Sequence, residues 1–244
     1  LVTGASGGIG RELAVAFGRA GAVVGLNGVD AARLRRTDEL IQNAGGRAIV
    51  LPADLSRAEA AQELIANAWK ALGRLDVLVN CAGMNRRKPI ADVSVDDFDT
   101  IVDINLRSIF FLSQAAQPIM RAQGGGKIIN IGSISSSVGL GGISVYGATK
   151  AAVAQLTKTM ALEWAGDNIQ VNCLAPGFIM TPLTEVGLWG DPHRRKWLED
   201  RIPARRPGKP EDLVGAALLL ASNASSYLTG QVLNVDGGFL AGGS

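Results

Sequence analysis

Eight residues near the start, Thr3 to Gly10, read T-G-A-S-G-G-I-G and join an apolar strand-like run to an Ala-containing helix-like run that ends at Ala20. Few folds accommodate such a loop. Gly4, Gly8 and Gly10 let the backbone turn tightly and approach a pyrophosphate, with Ser6 and Ile9 between them. The helix that opens there turns free amides and the positive end of its dipole toward the anion. A glycine-rich loop alone is a weak signal, but here it lies between strand and helix, as the mechanism demands. The expected fold class is α/β, a single Rossmann-type doubly wound parallel sheet with helices on both faces.

The remaining pattern supports that expectation. Strand-like runs at 22–27, 47–51, 76–80, 127–132, 169–174 and 231–235 alternate with helix-like runs, among them 95–123, 145–165 and 210–221. Neither repeats nor a break in composition divide the 244 residues, so residues 1–244 read as one domain. Hydrophobic residues make up 47 %, enough for a large core, and a net charge of +2 argues against nucleic acid or a membrane surface as partner. The sequence contains no apolar run of about 20 residues that would span a bilayer. Cys81 and Cys173 follow strand-like runs and read as buried thiols in a reducing, cytoplasmic setting. No leader is visible, and the chain opens at Leu1 inside a strand, so native residues are expected before it. No metal-ligand cluster is legible.

Chemistry concentrates at Ser133 to Lys150, S-I-S-S-S-V-G-L-G-G-I-S-V-Y-G-A-T-K. Tyr146 and Lys150 stand four positions apart, so on a helix they share a face. A unit charge ~4 Å from a phenol, at an effective dielectric of ~20, contributes about 4 kcal/mol, which would lower the tyrosine pKa by up to ~3 units. That would poise Tyr146 as a general acid or base. Ser133, at the end of the 127–132 strand, is placed to hydrogen-bond a substrate oxygen beside the phenol.

Taken together, the loop T-G-x-x-x-G-x-G and a serine thirteen residues before Y-x-x-x-K resemble the short-chain dehydrogenase/reductase family over the whole chain. The resemblance implies an NAD(P)-dependent oxidoreductase that interconverts a secondary alcohol and a ketone. It implies Asn105, Ser133, Tyr146 and Lys150 as the catalytic set, with Asn105 binding a water that links Lys150 to solvent. Cofactor contacts are implied at Thr3, Gly4, Ser6, Gly8, Ile9 and Gly10, and at Asn27 and Gly28 on the second strand. Asp54 and Leu55 would flank the adenine; Asn80, Ala82 and Gly83 follow the fourth strand, with Asn80 bracing the sheet. Tyr146 and Lys150 would also meet the nicotinamide ribose, and Pro176, Gly177, Ile179 and Thr181 would hold the carboxamide end. Pro176 and Gly177 are read as breaking the strand.

The sequence also departs from the pattern. Cys81 stands where the family has Asn. Gly28 supplies no carboxylate to select NAD, whereas Val29 and Gly7 supply no cation to select NADP, so either cofactor is expected to serve. Arg33, Arg35 and Arg36 read as a charged helix face. The paired arginines Arg86 and Arg87 are shared with gluconate 5-dehydrogenases and 2-deoxygluconate 3-dehydrogenases, which makes both candidates for binding a sugar acid, Arg86 first. Residues 183–206 correspond to a substrate lid, and the family implies a homotetramer. The alternatives are a 3-oxoacyl-carrier-protein reductase and, outside enzymes, a non-catalytic cofactor-binding regulator.

Overall fold

A computed structural model describes residues 1–181, 184–185 and 189–242. Its elements run α1 (Gly8–Arg19), β1 (Val23–Gly28), α2 (Ala31–Asn43), β2 (Arg47–Pro52), α3 (Ala60–Leu72) and β3 (Val77–Asn80). There follow α4 (Val95–Val102), α5 (Ser108–Ala122), β4 (Gly126–Ile131), α6 (Ser144–Trp164), β5 (Ile169–Pro176), α7 (Pro192–Arg201), α8 (Val214–Ala221) and β6 (Val232–Val235). Val2 bridges Leu26 on one side and Val79 on the other. The strand order is therefore β2, β1, the Val2 segment, β3, β4, β5, β6, with every pairing parallel.

Successive side chains on a strand point to opposite faces. Val79 and Ile129 pack with α1, α2 and α8 residues such as Leu13, Ile41 and Leu220. Their neighbours Leu78 and Ile128 pack with Leu64, Leu112 and Met160 from α3, α5 and α6. Both faces are covered, so the strands read as unbroken apolar runs.

Three sequence boundaries are corrected. The expected helix over 95–123 is interrupted by a π turn at Asp103–Arg107, which contains Asn105. β5 continues through Pro176, where the amide of Gly177 takes up the ladder by donating to the Val235 carbonyl at 3.0 Å. Pro210 opens a 3₁₀ turn, Pro210–Leu213, and the α-helix begins only at Val214. In the expected lid segment, Leu183 and residues 186–188 lie outside the described residues. Beyond them Asp191 caps α7 by accepting from the His193 amide, and Trp189, Leu198 and Ile202 form a small cluster with Phe178, Met180 and Phe239.

The glycine loop is built to contact. A Cβ on Gly10 would lie 2.3 Å from the Gly4 carbonyl oxygen, whereas one on Gly139 would meet nothing within 4 Å. Gly10→Ala is expected to lose about 1–3 kcal/mol of stability through overpacking against backbone, with Gly139→Ala close to wild type. Denaturant unfolding of the two variants checks this.

Candidate active site

At the sheet edge, the Thr3 hydroxyl accepts from the amides of Cys81 and Ala82 at 2.9 and 3.0 Å. This ties the loop after β3 to the first segment. Gly4, at φ +68°, presses on Ala82, where a Cβ would come within 2.9 Å of the Ala82 Cα. Asn80 donates to Ser113 and Asn130, so it braces the buried sheet as expected. Asn27 donates to the Leu51 and Ala53 carbonyls, which holds β1 against the end of β2.

A groove of about 230 Å³ runs along this edge, lined by Ser6, Gly8, Ile9, Gly10, Gly83 and Thr181 and closed by Tyr146 and Lys150. Gly8 faces Thr181, whose side chain would lie 3.6 Å from a Cβ there. Gly83 is pressed equally closely, 3.5 Å from Asn105 Oδ1 and 3.7 Å from Lys150 Nζ by the same measure. A side chain at these glycines would fill the groove, so the residues present fit an extended dinucleotide. Asp54 and Leu55, expected beside the adenine, also make contacts within the chain. Asp54 accepts from the Ser56 amide and hydroxyl, and Leu55 is buried in the core.

Ser133, Tyr146, Lys150 and Asn105 converge. Tyr146 lies in the first turn of α6, and Lys150 Nζ sits 5.6 Å from its ring centroid. Lys150 is buried and donates to the Ile131 carbonyl at 2.6 Å. Asn105 accepts from the Met84 amide at 2.8 Å and donates to the Met84 carbonyl at 2.9 Å, so its side chain mimics a strand partner. π turns recur at functional sites, and this one delivers that side chain.

The expected depression of the phenol by Lys150 is corrected. Burial raises the Tyr146 pKa and outweighs the lowering by its hydrogen bond to Ser133. Burial also lowers Lys150, chiefly because the ammonium has left water. In this chain the serine, rather than the lysine, draws the tyrosine toward ionisation.

Arg86 and Arg87 part company. Arg86 is ion-paired to Asp96 at 2.6 Å and to Asp97 at 3.0 Å, and Lys88 also pairs with Asp97. These partners hold Asp97 well below the usual carboxylate range. Arg87 instead lines a second cavity of about 210 Å³ with Ser133, Tyr146, Ile143, Phe178 and Ile179. Its guanidinium donates to the Gly141 carbonyl at 3.1 Å.

The family model described as enoyl-(acyl carrier protein) reductase matches residues 4–240. The chain belongs to the short-chain dehydrogenase/reductase family. It is 43 % identical to gluconate 5-dehydrogenase of Gluconobacter oxydans, over 98 % of this chain and 93 % of that protein. It is 42 % identical to 2-dehydro-3-deoxy-D-gluconate 5-dehydrogenase of Escherichia coli, over 99 % and 94 %. The crystal structure of a gluconate 5-dehydrogenase from Burkholderia cenocepacia, in complex with NADP and tartrate, superposes with a TM-score of 0.95 at 38 % identity, covering 99 % of this chain and 94 % of that one. As a member of this family, the chain is an NAD(P)-dependent oxidoreductase that interconverts a secondary alcohol and a ketone.

Sequence reasoning left two groups of pocket residues unassigned. Ile143 and Phe178 carry no motif that marks them. Arg33 was read as helix surface, although its place in the first turn after the Asp30 cap was a usable signal.

Two variants separate the proposed roles of Tyr146 and Ser133. Tyr146→Phe is expected to lose roughly 10²- to 10⁴-fold in turnover, the worth of a positioned acid or base, with cofactor affinity retained by fluorescence titration. Ser133→Ala removes the hydrogen bond that lowers the phenol pKa. The alkaline rise of the alcohol-oxidation rate should therefore move to higher pH, which a pH–rate profile reads.

Proposed function

We propose that this chain oxidises a sugar acid at a secondary alcohol, or reduces the matching keto acid, with Arg87 holding the carboxylate. Arg87 carries this reading, as a cation that lines the same cavity as Ser133 and Tyr146. Arginine's planar fork binds carboxylates by two parallel hydrogen bonds. The guanidinium is partly desolvated and feels the like charge of Arg194, and both effects lower its pKa. A carboxylate arriving there supplies the counter-charge that offsets both. The gluconate-related names of the relatives point the same way.

In this reading the Tyr146 phenolate takes the hydroxyl proton during oxidation and the phenol returns it during reduction. Ser133 donates a hydrogen bond to the substrate oxygen and orients the phenol. Lys150 fixes the ribose end of the cofactor and, through Asn105, stays linked to solvent for proton exchange. Ser6, Gly8, Gly10, Gly83 and Thr181 would hold the cofactor. When bound, nicotinamide supplies the hydride acceptor or donor.

The chain acts as one domain with a lid over 183–206. Exposed Ile90, Val95, Phe98 and Leu162 give apolar surface of the kind that copies of a subunit bury together, which supports a homotetramer. Two unpaired cysteines suit a reducing cytoplasm. Among the described residues no helix is long and apolar enough to cross a membrane.

Arg87→Ala should raise KM for gluconate by about 10- to 150-fold, the equivalent of ~1.5–3 kcal/mol for losing the partner of a charged hydrogen bond. A neutral polyol should be unaffected, and Arg86→Ala should leave both KM values near wild type. Equal losses on charged and neutral substrates would dismiss the carboxylate contact. Light scattering at micromolar concentration should give the mass of four chains.

A further inference from the structure

The two positions expected to select NADP are both silent. Gly7 in the loop and Val29 after β1 carry no charge, and Val29 is 71 % exposed. The space beside Gly7 is nevertheless occupied. A Cβ built on Gly7 would lie 2.7 Å from Nη2 of Arg33, a side chain reaching over from the first turn of α2. That guanidinium stands where a side chain of the loop would stand, and it lines the same groove as Ser6, Gly8, Tyr146 and Lys150. Gly28 closes the neighbouring wall, since a Cβ there would meet Ser6 at 3.3 Å. This end of the groove is thus lined by Ser6 and Arg33, with Gly28 packed behind Ser6.

Negative charge at this end is already committed. Oδ1 of Asp30 caps α2, accepting from the amides of Ala32 and Arg33. Among the described residues no ion pair engages Arg33. Arg11 stands behind it, donating to the Ser6 carbonyl at 2.6 Å and to the Thr37 hydroxyl at 3.2 Å. Its pKa is lowered by burial and then by the like charges of Arg33 and Arg36. Arg11 is thus locked in place beside Ser6, while Arg33 lines the groove itself.

We propose that Arg33, acting from α2 in place of a cation at Gly7 or Val29, receives the 2′-phosphate of the cofactor and makes this enzyme prefer NADP over NAD. This departs from the expectation, drawn from Gly28 and Val29, that either cofactor would serve. Crowded like charges disfavour one another until an anion arrives, and a phosphate with nearly two charges relieves more of that repulsion than a hydroxyl. Arg33 also presents a fork that matches phosphate oxygens.

The test uses ligands that differ only in that phosphate, with calorimetry as the readout rather than turnover. Wild-type protein should bind 2′,5′-ADP at least tenfold more tightly than 5′-ADP. Arg33→Ala should bring the ratio to within about twofold while the 5′-ADP affinity stays near wild type. Arg33→Lys should keep part of the ratio, and Arg35→Ala, one step further round α2, should keep all of it. NADPH and NADH titrated by nicotinamide fluorescence should follow the same order. A wild-type ratio near one would overturn the proposal, as would a ratio that survives Arg33→Ala or a loss shared equally by both nucleotides. An equal effect from Arg35→Ala would also overturn it, replacing Arg33 by diffuse charge. Any of these results with 5′-ADP binding intact leaves the cofactor groove itself standing, whereas failure of every adenine nucleotide to bind would reject the groove together with the proposal.

Discussion

All seven strand positions of the sheet run in one direction, and nearly everything else follows from that. Their C-terminal ends gather on a single edge, and the order reverses between the Val2 segment and β3. Chains leaving that edge diverge and open a crevice between them. The glycine loop, the end of β1, the 80–83 loop, Ser133 and the Gly177–Thr181 segment all emerge there. Residues more than a hundred positions apart thus become neighbours without any long loop crossing the molecule. The apolar faces only have to keep the sheet parallel, and the crevice follows from the topology.

Within that crevice the electrostatics are set by dehydration more than by pairing. Lys150 gives up water for one carbonyl, that of Ile131, and Tyr146 is buried beside it. Each charged form is penalised, the ammonium downward in pKa and the phenolate upward. A Coulomb estimate across one helical turn pictures the lysine as a full charge near the phenol. The folded chain turns its Nζ to the end of β4, 5.6 Å from the ring centroid, and the hydrogen bond with Ser133 is what lowers the phenol against its burial.

The fold was legible because strand periodicity, glycine turns and helix stretches each restate the same architecture. The glycine loop and the Ser133–Tyr146–Lys150 spacing were legible for the same reason, as local patterns whose geometry a helix or strand fixes. Charged side chains on loops were not. Arg86 and Arg87 are adjacent and identical in sequence, yet Asp96 and Asp97, ten and eleven positions beyond Arg86, draw only the first of them aside. Arg33 looked like any solvated helix cation, because its approach to Gly7 depends on how α2 packs across the loop. Asp54 and Leu55 show that a position expected at the cofactor can also carry contacts within the chain, a turn at Ser56 for the first and core packing for the second. Motif spacing reports backbone geometry well. It carries little information on where a long flexible side chain finds its counter-charge.

The π turn at Asp103–Arg107 also sets a phase. One residue beyond the α-helical count turns everything before it by about 100° relative to everything after it. The outward face of α4, with Val95 and Phe98, is consequently out of step with the stripe on α5 that contains Leu112 and Met120. The catalytic-side residue Asn105 and the outer surface of α4 are therefore coupled geometrically. Removing the extra residue would turn Asn105 relative to Met84 and swing the exposed apolar face to a new bearing at the same time. A single insertion in a helix thus acts as a gear between the interior of the subunit and its exterior, and neither setting can change alone.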